Sequence, residues 1–328
     1  MKICIFGAGA IGGIIAGQLA RAGLCEVSVV ARGQTLEAIR RRGLTVVLPD
    51  ETFTVPVRAT DDPAELGVQD YLLLTLKAHQ MDRALDGIAT LIGPDTAVLP
   101  PTTGLPHYFF TGASATKTPG VPLIDPTGRQ AELMPAKNVL GIVYWIGART
   151  VAPGTVAQDG AKAGCPIGEL DGSPSPRVTR LAELLTGSGI PSKVNANVRG
   201  AIWVKFVNSL CWNPLGILTL ARNGQIAEHC GDILHKMMEE ADSAARVLGV
   251  EVPQPPAKRI ALTASGASHK MSMLQDLEKG KPLELDILEN SIGEVRRLSG
   301  LDMPTLEMVL KIARLRAMQM STDKAAGH

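Results

Sequence analysis

A lysine lies inside the most apolar stretch of this 328-residue chain. Between Ala201 and Ala221, Trp203-Val204-Lys205-Phe206-Val207-Asn208-Ser209 leads into Cys211-Trp212-Asn213-Pro214. A cation among apolar neighbours is expensive unless it is paired or hydrogen-bonded. Lys205, Ser209 and Asn213 recur at i, i+4 and i+8, so on a helix they share one face. The result is a polar stripe on a helix that is otherwise core. An ammonium so placed can stabilise an oxyanion as charge develops on it and then protonate it. Spacing alone accommodates a buried structural ion pair equally well.

A second cluster lies at the N-terminus. Gly7-Ala8-Gly9-Ala10-Ile11-Gly12 follows the strand-like run Lys2 to Phe6 and opens a helical pattern from Gly12 to Ala22. A G-x-G-x-x-G carries little information alone; between a strand and a helix it reads as a dinucleotide-binding turn. Gly7 permits the tight turn, Gly9 lets the backbone approach a pyrophosphate, and Gly12 allows close helix–sheet packing. The amides around Ala10 and Ile11, at the helix start, face the anion. Beyond the next strand, Glu26 to Val30, an NAD site usually carries an acid for the ribose hydroxyls. Here the sequence is Ala31-Arg32-Gly33. A guanidinium there pairs with a 2′-phosphate, so NADP is expected over NAD.

These residues need a scaffold. The first half alternates short Val-, Ile- or Leu-rich runs (Lys2–Phe6, Glu26–Val30, Tyr71–Leu76, Ala97–Leu99) with helical patterns such as Thr35–Arg42. That is the pattern of an α/β, doubly wound, Rossmann-type domain. From Pro122 to about Pro191, Gly and Pro multiply, and runs such as Val139 to Ile146 are expected to form the antiparallel far side of the same sheet. After about Ala196 the period changes. Ile226, Cys230, Ile233, Leu234, Met237, Ala241, Ala244 and Leu248 predict one amphipathic helix, with others over Leu283–Leu298 and Thr305–Arg316. The tail after Met320 is expected to fray. The domains are thus 1–196, nucleotide-binding, and 197–328, all-helical.

Composition bounds the partners. Thirty-three Lys and Arg against thirty-two Asp and Glu give a net charge of +1, which supplies no electrostatic grip on nucleic acid. Aromatic residues make only 3% of the chain, too few for base- or sugar-stacking platforms. Lys205, Asn208, Asn213 and Pro214 interrupt the longest apolar run, so no membrane span is expected. Five scattered cysteines, without Cys-x-x-Cys, predict free thiols and no disulfide framework or zinc site. The histidines form no ligand pair, and no metal is expected. No leader precedes the glycine segment, and a cytoplasmic location is expected.

The glycine segment, Thr75-Leu76-Lys77-Ala78, the Trp-x-Lys helix with Asn213-Pro214, Ser272-Met273-Leu274-Gln275-Asp276 and Glu284-Leu285-Asp286 together resemble the ketopantoate reductases. The resemblance covers most of the chain and implies NADPH-dependent reduction of 2-dehydropantoate to (R)-pantoate, on the route to pantothenate. It implies that Lys205 is the general acid and that Glu284 hydrogen-bonds the substrate hydroxyl beside it. Asn213 would orient the substrate and Ser272 contact its carboxylate. Lys77 would contact the cofactor and Arg32 its phosphate. The expected substrate site lies between the domains, and a homodimer is expected because helical domains of such reductases often pair. Without the resemblance, Ser272 reads as a helix cap and Glu284 as a solvated acid.

Three positions depart from the family pattern. Thr103, in Pro101-Thr102-Thr103-Gly104, stands where an asparagine usually contacts both substrate and cofactor. Ser209 replaces another asparagine, with Asn208 displaced by about 100° round the helix. His269 stands where asparagine is found in the best-matched members. Each falls on a substrate contact. They motivate two alternatives: reduction of a different 2-oxo acid, or a silent NADP-binding regulatory protein.

Overall fold

The computed structural model describes residues 1–111 and 120–325. The chain forms two compact units, one of residues 1–102, 106–108 and 127–198, the other of 103–105, 109–126 and 199–328.

The first unit opens with β1 (Lys2–Phe6), α1 (Ala10–Ala22), β2 (Glu26–Val30) and α2 (Gly33–Arg42). A hairpin of β3 (Leu44–Val47) and β4 (Thr52–Val55) follows, then β5 (Arg58–Thr60), β6 (Tyr71–Leu74), α3 (Met81–Ala89) and β7 (Ala97–Leu99). Five of these strands make an all-parallel Rossmann-type sheet in the order β5-β2-β1-β6-β7. Its central strands are apolar on both faces, as in Ile3, Ile5, Leu72 and Leu73, because helices or a second sheet cover both sides.

The stretch after Pro122 corrects one expectation. It contains α4 (Arg129–Leu133), β8 (Gly141–Ile142), β9 (Trp145–Ala152), β10 (Thr155–Gly164), β11 (Ile167–Gly168) and α5 (Pro176–Gly187). Rather than extending the parallel sheet, β9 and β10 join the hairpin in a separate sheet of order β4-β3-β10-β9. Among the described residues, only an isolated bridge, Val98 to Val139, reaches the parallel sheet. The physical reason is visible in β9, where exposed Trp145 and Gly147 flank buried Ile146. That alternation suits a strand covered on one face.

Helix α1 packs against both sheets. A Cβ at Gly12 would stand 2.0 Å from the Gly7 carbonyl oxygen. On the other side, a Cβ at Gly13 would meet Val156 of β10 at 2.7 Å, and one at Gly17 would meet Val46 of β3 at 2.3 Å. Glycines therefore set the thickness of this layer on both sides of the helix.

The second unit is helical: α6 (Val198–Thr219), α7 (Asn223–His229), α8 (Gly231–Val247), α9 (Pro256–Ala264), α10 (Ser272–Glu278), α11 (Leu285–Ser299) and α12 (Pro304–Ala325). The single helix expected from Ile226 to Leu248 is broken at Cys230-Gly231 into α7 and α8. The last helix continues to Ala325, past the Met320 beyond which fraying was expected; residues 326–328 of that tail lie outside the described residues. Among the described residues, no helix is long and apolar enough to cross a membrane.

Candidate active site

The glycine turn is built from the strands outward. Gly7 takes φ +114°, in the region that favours glycine, and its N–H donates to Val30 O at 3.0 Å. Its carbonyl accepts from Thr75 Oγ1 at 2.7 Å, so the residue after β6 locks the turn after β1. Thr75 was quoted in the sequence only as part of a motif; a hydroxyl one residue past a buried strand was the available signal. Gly9 caps α1 with no side-chain hydrogen bond, and no atom lies within 4 Å of where its Cβ would stand. Open space beside uncapped helix amides fits a diphosphate.

Arg32 is exposed and stands at the N-cap of α2, whose first turn carries no acid. A phosphate there would meet a guanidinium and a helix N-terminus without a carboxylate to repel it. Lys77 lies three residues beyond β6, and its N–H donates to Gln80 Oε1 at 3.1 Å.

In the second unit, Lys205 and Ser209 are half-buried on α6, while Asn213 is fully buried. Burial pulls the Lys205 ammonium below the ordinary lysine range by stripping its water. Asn213 Nδ2 donates to Ser209 O at 3.0 Å. Its Oδ1 accepts from Met273 N at 3.0 Å and faces Ser272 Oγ at 3.4 Å. Asn213 thus ties α6 to the start of α10. Ser272 is the first helical residue after the N-cap Met271, exposed and making no side-chain capping bond. The helix-cap reading of Ser272 is therefore incorrect; Asn213 satisfies the amide that a cap would.

Glu284 also differs from its ordinary reading. It is buried at the N-cap of α11, where the dipole favours an acid, rather than solvated. The Thr103 loop packs on this helix: Leu105 N donates to Ser291 Oγ at 3.0 Å, and a Cβ at Gly104 would meet Ile287 at 2.5 Å. Asn208 turns away from the Lys205 stripe, its Nδ2 donating to Thr263 Oγ1 at 3.1 Å on α9. The His269 side chain is exposed, while its carbonyl accepts from Asn223 N at 3.0 Å.

Asn223 was not singled out in the sequence, where Asn-Gly between helical stretches reads as a turn. It is buried at the start of α7, and its Oδ1 has no hydrogen-bond partner among the described residues. His107, buried beside the Met134 carbonyl at 3.0 Å, is a core residue. The five cysteines are free, and burial pushes the Cys4 and Cys165 thiols up to about 12. Among the described residues, no three His, Cys, Asp or Glu side chains converge as metal ligands.

A Rossmann-type sheet with an uncapped glycine turn in one unit, and a lysine stripped of water on a helix of the other, are the parts of a nucleotide-dependent oxidoreductase. Residues 3–172 match the family described as ketopantoate reductase PanE/ApbA, and residues 197–317 match its C-terminal counterpart. A 2-dehydropantoate 2-reductase of Mesorhizobium japonicum is 39% identical, the alignment covering 97% of this chain and 98% of the relative. A solved structure from Ralstonia solanacearum MolK2, provisionally assigned as a ketopantoate reductase, is 34% identical with TM-score 0.89, covering 97% and 98% of the two chains. The 2-dehydropantoate 2-reductase structure from Methylococcus capsulatus is 25% identical with TM-score 0.81, covering 98% of each. The chain belongs to the ketopantoate reductase family and is an NAD(P)H-dependent oxidoreductase acting on a CH–OH group.

Proposed function

We propose that the chain reduces 2-dehydropantoate to (R)-pantoate with NADPH, in the cytoplasm and on the route to pantothenate. The observation that carries this reading is the desolvated Lys205 on the α6 face that also bears Ser209 and the Asn213–Ser272 contact. NADPH, when bound, supplies the hydride. Gly7, Gly9, Ala10, Ile11 and Gly12 hold its diphosphate, Arg32 its 2′-phosphate, and Lys77 and Thr103 complete the cofactor contacts. Ser272 holds the substrate carboxylate, while Asn213, Ser209 and Thr103 orient the carbon chain. As the ketone carbon accepts the hydride, negative charge builds on its oxygen. Lys205 Nζ stabilises that charge and gives up one proton, leaving an alcohol and a neutral amine that solvent reprotonates. Glu284 hydrogen-bonds the substrate hydroxyl beside Nζ.

A second reading keeps this chemistry with a different 2-oxo acid. It is favoured by Thr103 and Ser209, whose single hydroxyls cannot repeat the two-ended contacts of an amide. A panel of 2-oxo acids read by NADPH and NADH consumption, beside Lys205→Ala, tests both. Fastest turnover of 2-dehydropantoate, lost in the variant, supports the first reading. A faster oxo acid supports the second. NADPH binding with no turnover of any acid would overturn both and indicate a silent binding protein.

We also propose a homodimer formed through α12. Met308, Ile312, Leu315 and Met318 are each 50% exposed or more, on the face opposite buried Leu306, Leu310, Ala313 and Ala317. Beside this stripe runs a groove of about 400 Å³, with Ile292, Met303 and Leu310 as apolar lining and Glu289, Glu307, Arg296 and Lys311 around it. Arg296 already pairs with Glu307, and Arg314 with Glu289, within the chain, so the apolar stripe is what a second copy would cover.

A further inference from the structure

The centre of the second unit holds an ion pair that the chemistry above does not use. Asp242 of α8 accepts from the Arg259 guanidinium of α9, and Arg259 is only 1% exposed. The other Asp242 oxygen accepts from the Trp203 indole N–H of α6 at 3.1 Å. Phe109 stacks on Trp203 at 5.9 Å, and the Arg199 guanidinium, one turn earlier on α6, donates to the Phe109 and Thr111 carbonyls. Arg259 Nε and Nη1 have no hydrogen-bond partner among the described residues.

This arrangement is poor as a source of stability. Burying both charges strips their water, and two guanidinium nitrogens gain nothing in return. Apolar side chains of similar volume would fill the space at least as favourably. A hydrogen-bonded pair adds direction, which apolar packing does not. Trp203 and Lys205 are two residues apart on α6, so they point about 200° apart, to nearly opposite faces. Whatever fixes the Trp203 indole therefore fixes the roll of the helix that aims Lys205. With Nζ roughly 8 Å from the helix axis, a roll of about 10° would carry it through roughly 1.5 Å. A misplacement of about 1 Å at a reacting group costs on the order of 100-fold in rate.

We propose that the Trp203–Asp242–Arg259 chain is a positioning device, setting the roll of α6 and thereby the place of Lys205 Nζ. This rests on Lys205 being the acid of the proposed reaction. The pair itself touches no reacting atom.

The test uses Trp203→Phe, which keeps a ring and removes the N–H, and the double variant Asp242→Leu/Arg259→Met, which replaces the ion pair by apolar bulk. Lys205 Nζ is followed by NMR after ¹³C-methylation of the lysines, its signal assigned by its loss in Lys205→Ala. Both variants should fold, bind NADPH with unchanged Kd, lose kcat about 10- to 100-fold, and shift the Lys205 resonance and its titration. Folded variants with wild-type kcat and an unmoved resonance would overturn the proposal. Failure of both to fold would also overturn it, by assigning the chain to stability. If the resonance shifts while Lys205→Ala turns over normally, the positioning stands and the acid assignment fails.

Discussion

Two alanine substitutions in the glycine turn should behave in opposite ways, and the structure says why. At Gly12 a Cβ would stand 2.0 Å from Gly7 O and 2.3 Å from Thr75 Oγ1, about 1.4 Å short of ordinary contact with a backbone atom. The backbone carbonyl cannot rotate away without releasing the 2.7 Å bond from Thr75. Overpacking of this kind costs about 1–3 kcal/mol, and the lost hydrogen bond adds about 1 kcal/mol. At about 2–4 °C per kcal/mol for a cooperative unit the size of the first one, Gly12→Ala should melt that unit roughly 5–15 °C below wild type. At Gly9 no atom lies within 4 Å of the Cβ position, and φ of −76° suits any residue. Gly9→Ala should keep its Tm within about 2 °C, as a change without a packing partner does. Its methyl group would occupy the space a diphosphate must enter, raising the NADPH Kd by about tenfold or more. Differential scanning fluorimetry and a fluorescence titration with NADPH measure both quantities. Wild-type NADPH affinity in Gly9→Ala, or equal destabilisation in the two variants, would refute the reasoning.

The remaining predictions concern separate groups. Arg32→Ala should raise the NADPH KM about 10- to 100-fold and leave the NADH KM within about twofold, because only the 2′-phosphate meets the guanidinium; equal losses would argue against that contact. Burial lowers the Lys205 pKa, so kcat/KM for reduction should fall as pH rises through that lowered value, below the range where ordinary lysines titrate. The same depression means the folded state holds this charge at a penalty, present below the folded pKa and relieved as pH rises. Lys205→Met should therefore lose kcat by about 100-fold or more while melting above wild type at pH 7; a lower Tm would contradict the desolvation argument. Asn213→Ala removes the acceptor of Met273 N–H and should cost about 1–3 kcal/mol, read by chemical denaturation, with an increased oxo-acid KM. Ile312→Glu/Leu315→Glu should convert a dimer to a monomer in sedimentation equilibrium, and unchanged mass would remove the α12 interface.

The parts of the fold written locally were readable in advance. Strands β1, β2 and β7 follow from short apolar runs, and the turn at Gly7 from its position between a strand and a helix. The second sheet was not readable, since Thr45 pairs with Thr155 in parallel across most of the first unit and neither segment announces the other. Lys205 stood out because a cation interrupts an apolar run. Asp242 carried a comparable signal: it follows Met238 by four residues and precedes Ala245 by three, on the buried face of α8. Its neighbours Glu239 and Glu240 disguised it as part of a charged surface. Glu284 was named through the resemblance, but its burial was hidden among Glu278, Lys279 and Lys281, because burial of an acid depends on what packs over it.

The division of the chain into units bears on how the protein can be made and cut. Residues 103–105 and 109–126 are synthesised long before the helices they belong with, and Phe109 waits for Arg199 and Trp203 while Leu123 waits for Glu294. The second sheet of the first unit is incomplete until β10 has returned to β3. A ribosome that has released residues 1–198 therefore presents a nearly finished nucleotide unit with a loop whose aromatic residues have no core to enter. Cutting the gene there would not yield two domains. It would leave a sticky fragment and a helical remainder missing part of its core, so neither half could be exchanged for a relative's by a single crossover.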